Sequence, residues 1–301
     1  MINIKNKILK IVLLVLMFVT IITAFRIIKG MVGGMKRGLD NSFSGEDLGE
    51  GNKIQQKNPD ELLFVFAGVD DDGSKTNTRT DTLMLVLMNK KNKTIDIISI
   101  PRDTRVYIEG DLDKINAAHS YGGIDETIKT IRTFLNIDLD YYMQVSFQSV
   151  VDIIDAMGGV DINVSEDIAD AMEIDSGIHK FNGEEALAYV RFRKGYANAD
   201  IGRISTQQDF MVQLIKQMLK PKNIIKLPKI YSKTSSKIDT NISNGTLLSF
   251  AFAFRSISKA EINTYTIPGE GEMIDGISYY VAYEQKTIDL RNQILYNYIM
   301  D

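Results

Sequence analysis

From Asp60 to the C-terminus, strand-type apolar runs alternate with segments whose apolar residues recur at helical spacing. The first three runs are Leu62 to Val69, Leu83 to Met88 and Thr94 to Ile100. A short polar turn, Asn89 to Lys93, separates the second run from the third and predicts an antiparallel hairpin. The alternation predicts a mixed α/β domain in which helices cover both faces of a central mixed β-sheet.

Later segments extend the same pattern. Asp125 to Leu135 is expected to be a helix that follows the break at Gly122-Gly123 and uses Asp125 as its cap. Other predicted strands are Tyr141 to Phe147, Val160 to Val164 and Glu261 to Ile267, and other predicted helices are Gln148 to Met157, Ile201 to Leu219, Thr246 to Ser258 and Glu284 to Ile299. Because no second linker-like interval occurs, we expect residues 60–301 to form one domain.

The N-terminal segment has a different composition. Ile11 to Phe25 is an uninterrupted apolar run, which approaches the ~20 residues that a helix needs to cross a bilayer. A cleaved signal peptide is the alternative, although no clear Ala-x-Ala site follows. Three lysines precede the run, so the positive-inside rule places the N-terminus in the cytoplasm.

These features predict the order of segments along the chain. Residues 1–29 are expected to form a cytoplasmic N-terminus and a single transmembrane helix in the cell membrane. Residues 30–59, rich in Gly, Ser, Asn and charged side chains, are expected to form a juxtamembrane linker. Residues 60–301 would then be an extracellular domain.

Composition restricts the available chemistry. The 301 residues include no Cys and two His, His119 and His179, and carry a net charge of −4. Thiolate nucleophiles, disulfides and Cys-based zinc sites are therefore excluded, and a multi-histidine metal site is disfavoured. The net charge argues against a general nucleic-acid-binding protein. Any catalysis must use carboxylates, hydroxyls, Arg and Lys.

Arginines concentrate in three short stretches, although Lys outnumbers Arg by 24 to 11. They are Arg79, then Arg102 and Arg105, and then Arg191, Arg193 and Arg203. A guanidinium offers a planar fork that binds phosphate oxygens bidentately, whereas an ammonium does not. We therefore interpret the clusters as phosphate ligands, with surface ion pairing as the alternative.

Spacing favours one shared site. Arg191 and Arg193 lie two residues apart, so they share a face if the chain is extended there, and the same holds for Arg79 and Asp81. Arg203 and Gln207 lie four apart in the first turns of a predicted helix, and a helix N-terminus favours anions.

Two carboxylates lie beside these arginines. Asp70 ends the first predicted strand and Asp81 immediately precedes the second, and strand ends commonly carry functional sites. Mg²⁺ typically takes one or two protein carboxylates and completes its shell with phosphate and water, so a shared ion would fit them. The alternative is that both only form ion pairs with Arg79 and Arg102. Asp81 is also a candidate general base, with a water or Asp103 as alternatives.

The same residues resemble the LytR-CpsA-Psr family of cell-envelope proteins, strongly over Glu61 to Pro221 and more loosely over Pro268 to Tyr280. The motifs that carry the resemblance are Gly68-Val69-Asp70, Arg79-Thr80-Asp81-Thr82, Ser99-Ile100-Pro101-Arg102-Asp103-Thr104-Arg105, Asp113-Lys114-Ile115-Asn116-Ala117-Ala118 with Tyr121-Gly122-Gly123, Gly158-Gly159-Val160, Asn182 to Arg193, and Asp200 to Gln208. A membrane anchor that carries an extracellular catalytic domain is also the arrangement of that family.

The resemblance implies a phosphotransferase that takes a glycopolymer of the teichoic acid or capsular type from a polyprenyl pyrophosphate and joins it to peptidoglycan through a phosphodiester. It implies Asp70 and Asp81 as ligands of Mg²⁺ or Mn²⁺, although Asp71 and Asp72 extend this loop and compete with Asp70. The implied pyrophosphate ligands are Arg79, Arg102, Arg191, Arg193 and Gln207, with Lys114 and Arg203 near the head group. We predict Asp81, Arg102 and Arg79 as the catalytic residues.

Two other functions remain open at this stage. A polyprenyl pyrophosphate phosphohydrolase could use the same residues with water as the acceptor. A non-catalytic envelope protein could bind the lipid-linked precursor or act in regulation. The apolar residues Leu247, Phe250, Phe252 and Phe254 either line a slot for the lipid or pack in an ordinary core.

Overall fold

The computed structural model describes residues 58–69, 79–192, 199–220, 223, 238–254 and 261–300. The strands are β1 (Glu61–Val69), β2 (Thr80–Asn89), β3 (Thr94–Ile100), β4 (Arg105–Ile108), β5 (Asp111–Lys114), β6 (Tyr141–Ser146), β7 (Val160–Val164), β8 (Gly177–Phe181), β9 (Ile238–Thr240), β10 (Glu261–Thr266), β11 (Gly269–Ile274) and β12 (Ile277–Ala282). The helices are α1 (Ala118–Leu135), α2 (Phe147–Met157), α3 (Glu166–Met172), α4 (Gly183–Arg191), α5 (Ala199–Met218), α6 (Asn244–Ala253) and α7 (Glu284–Ile294).

A six-stranded sheet forms the centre, in the order β10-β3-β2-β1-β6-β9. β10 is parallel to β3, and β1 is parallel to β6, whereas the other neighbours are antiparallel. The predicted mixed sheet is confirmed, as is the hairpin at Asn89 to Lys93, where Asn89 pairs with Thr94. This topology brings the carboxyl ends of β1, β3, β6 and β10 to one edge, called here the carboxyl edge.

Strand alternation divides the sheet residues between two cores. Leu63 and Val65 point into a core with Ile131 of α1, and Leu62 and Phe64 point into a second core on the opposite face. That second core includes side chains from α5 and α6. Helices therefore cover both faces, as the pattern predicts, because each strand is apolar on both sides.

A third core lies beside the sheet. The β7–β8 hairpin packs with residues of α2, α3, α4 and α5 around Ile154, Tyr189 and Phe210. α5 contributes to this core through Phe210 and Leu214. Leu219, just beyond the end of α5, belongs to the second core, which contains Leu62 and Phe64. This shared helix ties the third core to the sheet.

Several element bounds differ from the sequence prediction. α7 ends at Ile294, not Ile299, because Ile299 forms a β-bridge with Ile137. The break at Gly122-Gly123 is present, but Asp125 lies inside the helix that follows and does not cap it. Phe250 and Phe254 are buried in the sheet core, which favours the core interpretation for these two residues.

No helix in the described ranges is both long and apolar enough to cross a membrane. The apolar run Ile11 to Phe25, on which the anchor prediction rests, lies outside those ranges.

Candidate active site

A β-bulge sets the orientation of Asp81. Gly68 pairs with Thr82 and Val69 pairs with Thr80, so Asp81 is the extra residue where the register shifts. Bulges re-aim side chains and are common beside active sites. The Asp81 side chain retains 33% of its accessible surface, so a ligand can reach the carboxylate at the carboxyl edge.

Arg102 enters the same edge from a turn after β3. The turn is fixed because Thr104 donates its backbone N–H and its hydroxyl to the Pro101 carbonyl, at 3.0 and 2.6 Å, and Asn116 donates its N–H to the Arg102 carbonyl at 3.1 Å. Arg102 Nη1 lies 2.8 Å from Asp81 Oδ1, which is the shortest ion pair among the described residues at this edge. Its Nε is buried and has no hydrogen-bond partner among the described residues.

Asp103 links Arg102 to Lys114. One carboxylate oxygen lies 3.0 Å from Lys114 Nζ, and the other lies 3.7 Å from Arg102 Nε. All three side chains retain 22–23% of their accessible surface. With Asp81, these side chains form an alternating row of two carboxylates and two cations. Lys114 therefore lies in the same row as Arg102 and Asp81, and Asp103 contacts both cations.

Arg105 extends this row along the β4–β5 hairpin, where it pairs with Lys114. Arg105 Cζ and Lys114 Nζ lie 5.5 and 5.8 Å from the centre of the Tyr279 ring, which is within cation–π range. Sequence reasoning missed Tyr279 because the residue is more than 160 positions away from both cations and no local pattern marks it.

The next residue along β12 fixes that strand beside the Arg102 turn. Tyr280 donates its backbone N–H to the Asp103 carbonyl at 2.8 Å, and its hydroxyl donates to the Ile267 carbonyl at 2.7 Å. Burial raises the pKa of the Tyr280 phenol, which favours the protonated donor. These bonds hold β12 against the site.

Arg191 reaches the carboxyl edge from another element. It is the last residue of α4, and its Cζ lies 4.3 Å from the ring centre of Phe147, the residue that follows β6. The prediction of an extended chain is wrong at Arg191, because Asn182 and Glu185 form a capping box that starts a helix. In the strand order, β6 lies three positions from β3, so the strand ends that precede Phe147 and Arg102 lie roughly 14 Å apart along the carboxyl edge.

The backbones of Arg203 and Gln207 lie in α5, as predicted. Their neighbour Gln208 holds this helix against the carboxyl ends of β3 and β10. Its Nε2 lies 3.0 Å from Ser99 Oγ, 2.7 Å from the Tyr265 carbonyl and 3.1 Å from Thr266 Oγ1. Gln208 is therefore a positioning residue that the sequence pattern marked only by its proximity to Gln207.

Arg79 is exposed and directly precedes β2, two residues before Asp81. Asp70, Asp71, Asp72 and Arg193 lie outside the described residues.

Asp81 is a chemically suitable ligand for Mg²⁺ or Mn²⁺. Within the described ranges, no three His, Asp or Glu side chains group closely enough to hold a metal ion by themselves. Mg²⁺ commonly takes only one or two protein carboxylates and completes its shell with phosphate and water. Arg102 occupies one oxygen of Asp81, and the partly exposed carboxylate has a second. This donor set fits an ion that binds together with a phosphate.

Comparison with known proteins places these residues in a family context. The LytR_cpsA_psr family model matches residues 36–295. The polyisoprenyl-teichoic acid–peptidoglycan teichoic acid transferase TagV of Bacillus subtilis is 37% identical over 251 residues, which cover 76% of this chain and 63% of that protein. The chain thus matches slightly less than two thirds of the length of TagV. The transferase TagU of Bacillus licheniformis is 31% identical over 241 residues, with 79% of this chain and 78% of that protein covered.

Solved structures show the same fold. The crystal structure of B. subtilis TagV superimposes with a TM-score of 0.67 at 34% identity and covers 78% of this chain and 96% of that one. The structure of TagT bound to LI-WTA gives a TM-score of 0.68 at 26% identity and covers 81% of this chain and 94% of that one.

Proposed function

Because the chain belongs to the LytR-CpsA-Psr family, we propose that it transfers a teichoic-acid-type glycopolymer from a polyprenyl pyrophosphate carrier to peptidoglycan. The names of TagV and TagU, both teichoic acid transferases, support this choice of substrates. The single observation that carries the proposal is the alternating row of Asp81, Arg102, Asp103 and Lys114 at the carboxyl edge. Ligand sites of open α/β sheets commonly lie at this edge.

The arginines suit a pyrophosphate because its charge spreads over several non-bridging oxygens. Arg102 carries five N–H groups, of which Asp81 takes one at 2.8 Å. Arg191 approaches from the β6 side, held against Phe147. Phosphoryl transfer depends mainly on positioning and on charge stabilisation around phosphorus, and cations at the carboxyl edge supply both. Arg79, Arg193, Arg203 and Gln207 are proposed as further ligands.

The proposed reaction breaks one bond and forms one bond at phosphorus. A hydroxyl oxygen of the peptidoglycan acceptor attacks the phosphorus that bears the glycopolymer. The bond from that phosphorus to the bridging oxygen breaks, polyprenyl phosphate leaves, and a phosphodiester joins polymer to acceptor. The hydroxyl proton passes to Asp81, whose carboxylate is accessible and held in place by Arg102.

Asp81, together with Asp70, would hold a Mg²⁺ or Mn²⁺ ion. Such an ion would neutralise part of the pyrophosphate charge when bound. Arg102 stabilises the charge that develops on the leaving phosphate. Asp103, whose Oδ1 lies 3.0 Å from Lys114 Nζ, holds Lys114 in the same row.

The location of the substrates supports a membrane-anchored protein. A polyprenyl carrier resides in the membrane and peptidoglycan lies outside it. The segment Ile11 to Phe25 would therefore anchor the chain with residues 60–301 at the outer surface.

Purified full-length chain, a polyprenyl-pyrophosphate-linked saccharide and soluble peptidoglycan fragments test the proposal. We expect an acceptor–phosphate–saccharide product and an equal amount of polyprenyl phosphate. Arg102→Ala should abolish both products, whereas Arg132→Ala should not, because Arg132 forms ion pairs with Asp138 and Asp140, away from this site. Formation of saccharide phosphate alone, with acceptor present, would instead indicate a phosphohydrolase.

A further inference from the structure

The β4–β5 hairpin sorts its charges onto two faces. Strand alternation and the pairing register place Arg105, Tyr107, Leu112 and Lys114 on one face, called here the hairpin face. The opposite face carries the buried residues Val106 and Ile108 and the two acidic residues that pair with them, Asp113 and Asp111. The hairpin face is therefore basic and aromatic, although residues 105–114 contain three acidic and only two basic residues.

Arg105 is the cation on this face that the proposed reaction does not use. Within the described part of the chain, no carboxylate lies within ion-pair distance of its guanidinium, and its buried Nε has no hydrogen-bond partner. Arg132 provides a contrast, since two carboxylates compensate its charge at 3.2 and 2.8 Å. Tyr279 supports Arg105 from one side at 5.5 Å but does not neutralise its charge. An uncompensated, supported guanidinium is suited to an oxyanion.

The hairpin face continues outward from Arg105 to exposed apolar surface. Tyr107 is 64% exposed and Leu112, its partner across the hairpin, is 38% exposed. Tyr107 lies two residues beyond Arg105 on β4, about 7 Å further from Lys114 along the strand. That separation is comparable to the length of one sugar ring with its linkage. An exposed aromatic ring at this distance can pack against the apolar face of a sugar.

We propose that the hairpin face is a glycan subsite in which Arg105 binds an oxyanion of the sugar chain and Tyr107 packs against a neighbouring sugar ring. The inference rests on the proposed function, because it places this subsite directly beside the Lys114 end of the reacting centre. Two glycans carry a suitable oxyanion. The acceptor has carboxylates on its peptide, and the donor polymer has phosphodiesters.

Direct binding to the full-length chain, purified in detergent, tests the subsite without requiring turnover. The probes are a disaccharide-peptide fragment of peptidoglycan, its carboxylate-amidated form, and a glycerol phosphate oligomer. For at least one anionic probe we expect Arg105→Gln to raise Kd by about tenfold, the scale of one charge-assisted hydrogen bond. Tyr107→Ser should also weaken binding of that probe.

Matched controls come from the opposite end of the molecule. Arg291 donates to the Leu135 carbonyl at 3.2 Å, and Tyr296 is 67% exposed, so Arg291→Gln and Tyr296→Ser repeat the same chemical changes away from the hairpin face. Both should bind as the wild type does. Tyr279→Phe should keep the support for Arg105, whereas Tyr279→Leu should weaken binding.

The outcomes separate the two possible sources. If Arg105→Gln weakens binding of the peptidoglycan fragment but not of its amidated form, the subsite belongs to the acceptor. If the same variant weakens binding of the glycerol phosphate oligomer, the subsite belongs to the donor. Wild-type-like binding of every probe by both Arg105→Gln and Tyr107→Ser, or no binding by the wild type, would overturn the inference. Normal probe binding without any transfer would contradict the proposed function alone.

Discussion

Replacement of Arg102 by Lys separates geometry from charge at the centre of the site. The guanidinium reaches Asp81 with Nη1 at 2.8 Å, and its N–H groups other than the buried Nε remain for a phosphate. An ammonium is a point charge and cannot span the carboxylate and the phosphate in the same way. With Asp81 this close, we expect a lysine ammonium to bind the carboxylate and to leave the phosphate without its ligand.

The size of the effect follows from the bonds that are lost. A hydrogen bond to a charged group contributes about 1.5–3 kcal/mol, so the loss of two bonds in the transition state removes roughly 3–6 kcal/mol. At about 1.4 kcal/mol per factor of ten, this corresponds to a decrease in kcat/KM of about 10²–10⁴. The kcat/KM of Arg102→Lys should lie within about tenfold of that of Arg102→Ala, because the ammonium does not replace the lost phosphate contacts.

Transfer kinetics with purified variants measure this effect. Thermal unfolding provides the control, because a partly exposed surface pair should shift Tm by only a few degrees, on the order of 1 kcal/mol. A lysine variant that retains more than a tenth of wild-type kcat/KM would refute the geometric argument, because point charge alone would then be sufficient.

Three further predictions concern other parts of the chain. If Asp70 and Asp81 share one ion, Asp70→Asn and Asp81→Asn should each weaken the Mg²⁺ dependence of transfer. The double variant should then lose much less transition-state stabilisation than the sum of the two single losses. Additive losses with unchanged Mg²⁺ dependence would contradict a shared ion. Protease added to intact protoplasts should remove the large domain, and its protection would contradict an extracellular location. Burial raises the pKa of Asp96, against the opposing hydrogen bond from Asn263, so the folded state disfavours its carboxylate at neutral pH. Asp96→Asn should therefore increase the free energy of unfolding at pH 7, and denaturant titrations should show this gain shrinking as pH falls through the raised pKa towards the ordinary value of 3.8; a pH-independent gain would contradict it.

Local patterns were sufficient for much of the sheet. The turn at Asn89 to Lys93 and the helix stop at Gly158, where φ is 87°, follow from short-range signals. Two hairpins that the sequence analysis omitted also carry such signals. Glu109-Gly110 and Asp275-Gly276 have positive φ at both positions, which is the conformation of a tight two-residue turn. These strands were missed because each has only four or six residues, too few to stand out as an apolar run.

The site was only partly accessible to sequence reasoning. Spacing grouped the arginines, but the extended conformation it suggested at Arg191 is wrong. The capping box at Asn182 starts a helix that continues to Arg191. Tyr279 and Gln208 act through contacts with distant strands, so their roles depend on tertiary pairing. A single sequence read for local spacing does not contain that information.

Product analysis of one transfer reaction distinguishes phosphodiester transfer to the acceptor from every other outcome. The full-length chain is incubated with a polyprenyl-pyrophosphate-linked saccharide whose two phosphorus atoms are distinguishable by isotope label, and with peptidoglycan fragments. We expect the sugar-bound phosphorus to appear in a phosphodiester to the acceptor and the other phosphorus to remain on polyprenyl phosphate. Arg102→Ala should form neither product. A phosphodiester that contains the prenyl-bound phosphorus, or transfer by Arg102→Ala at the wild-type rate, would contradict this expectation.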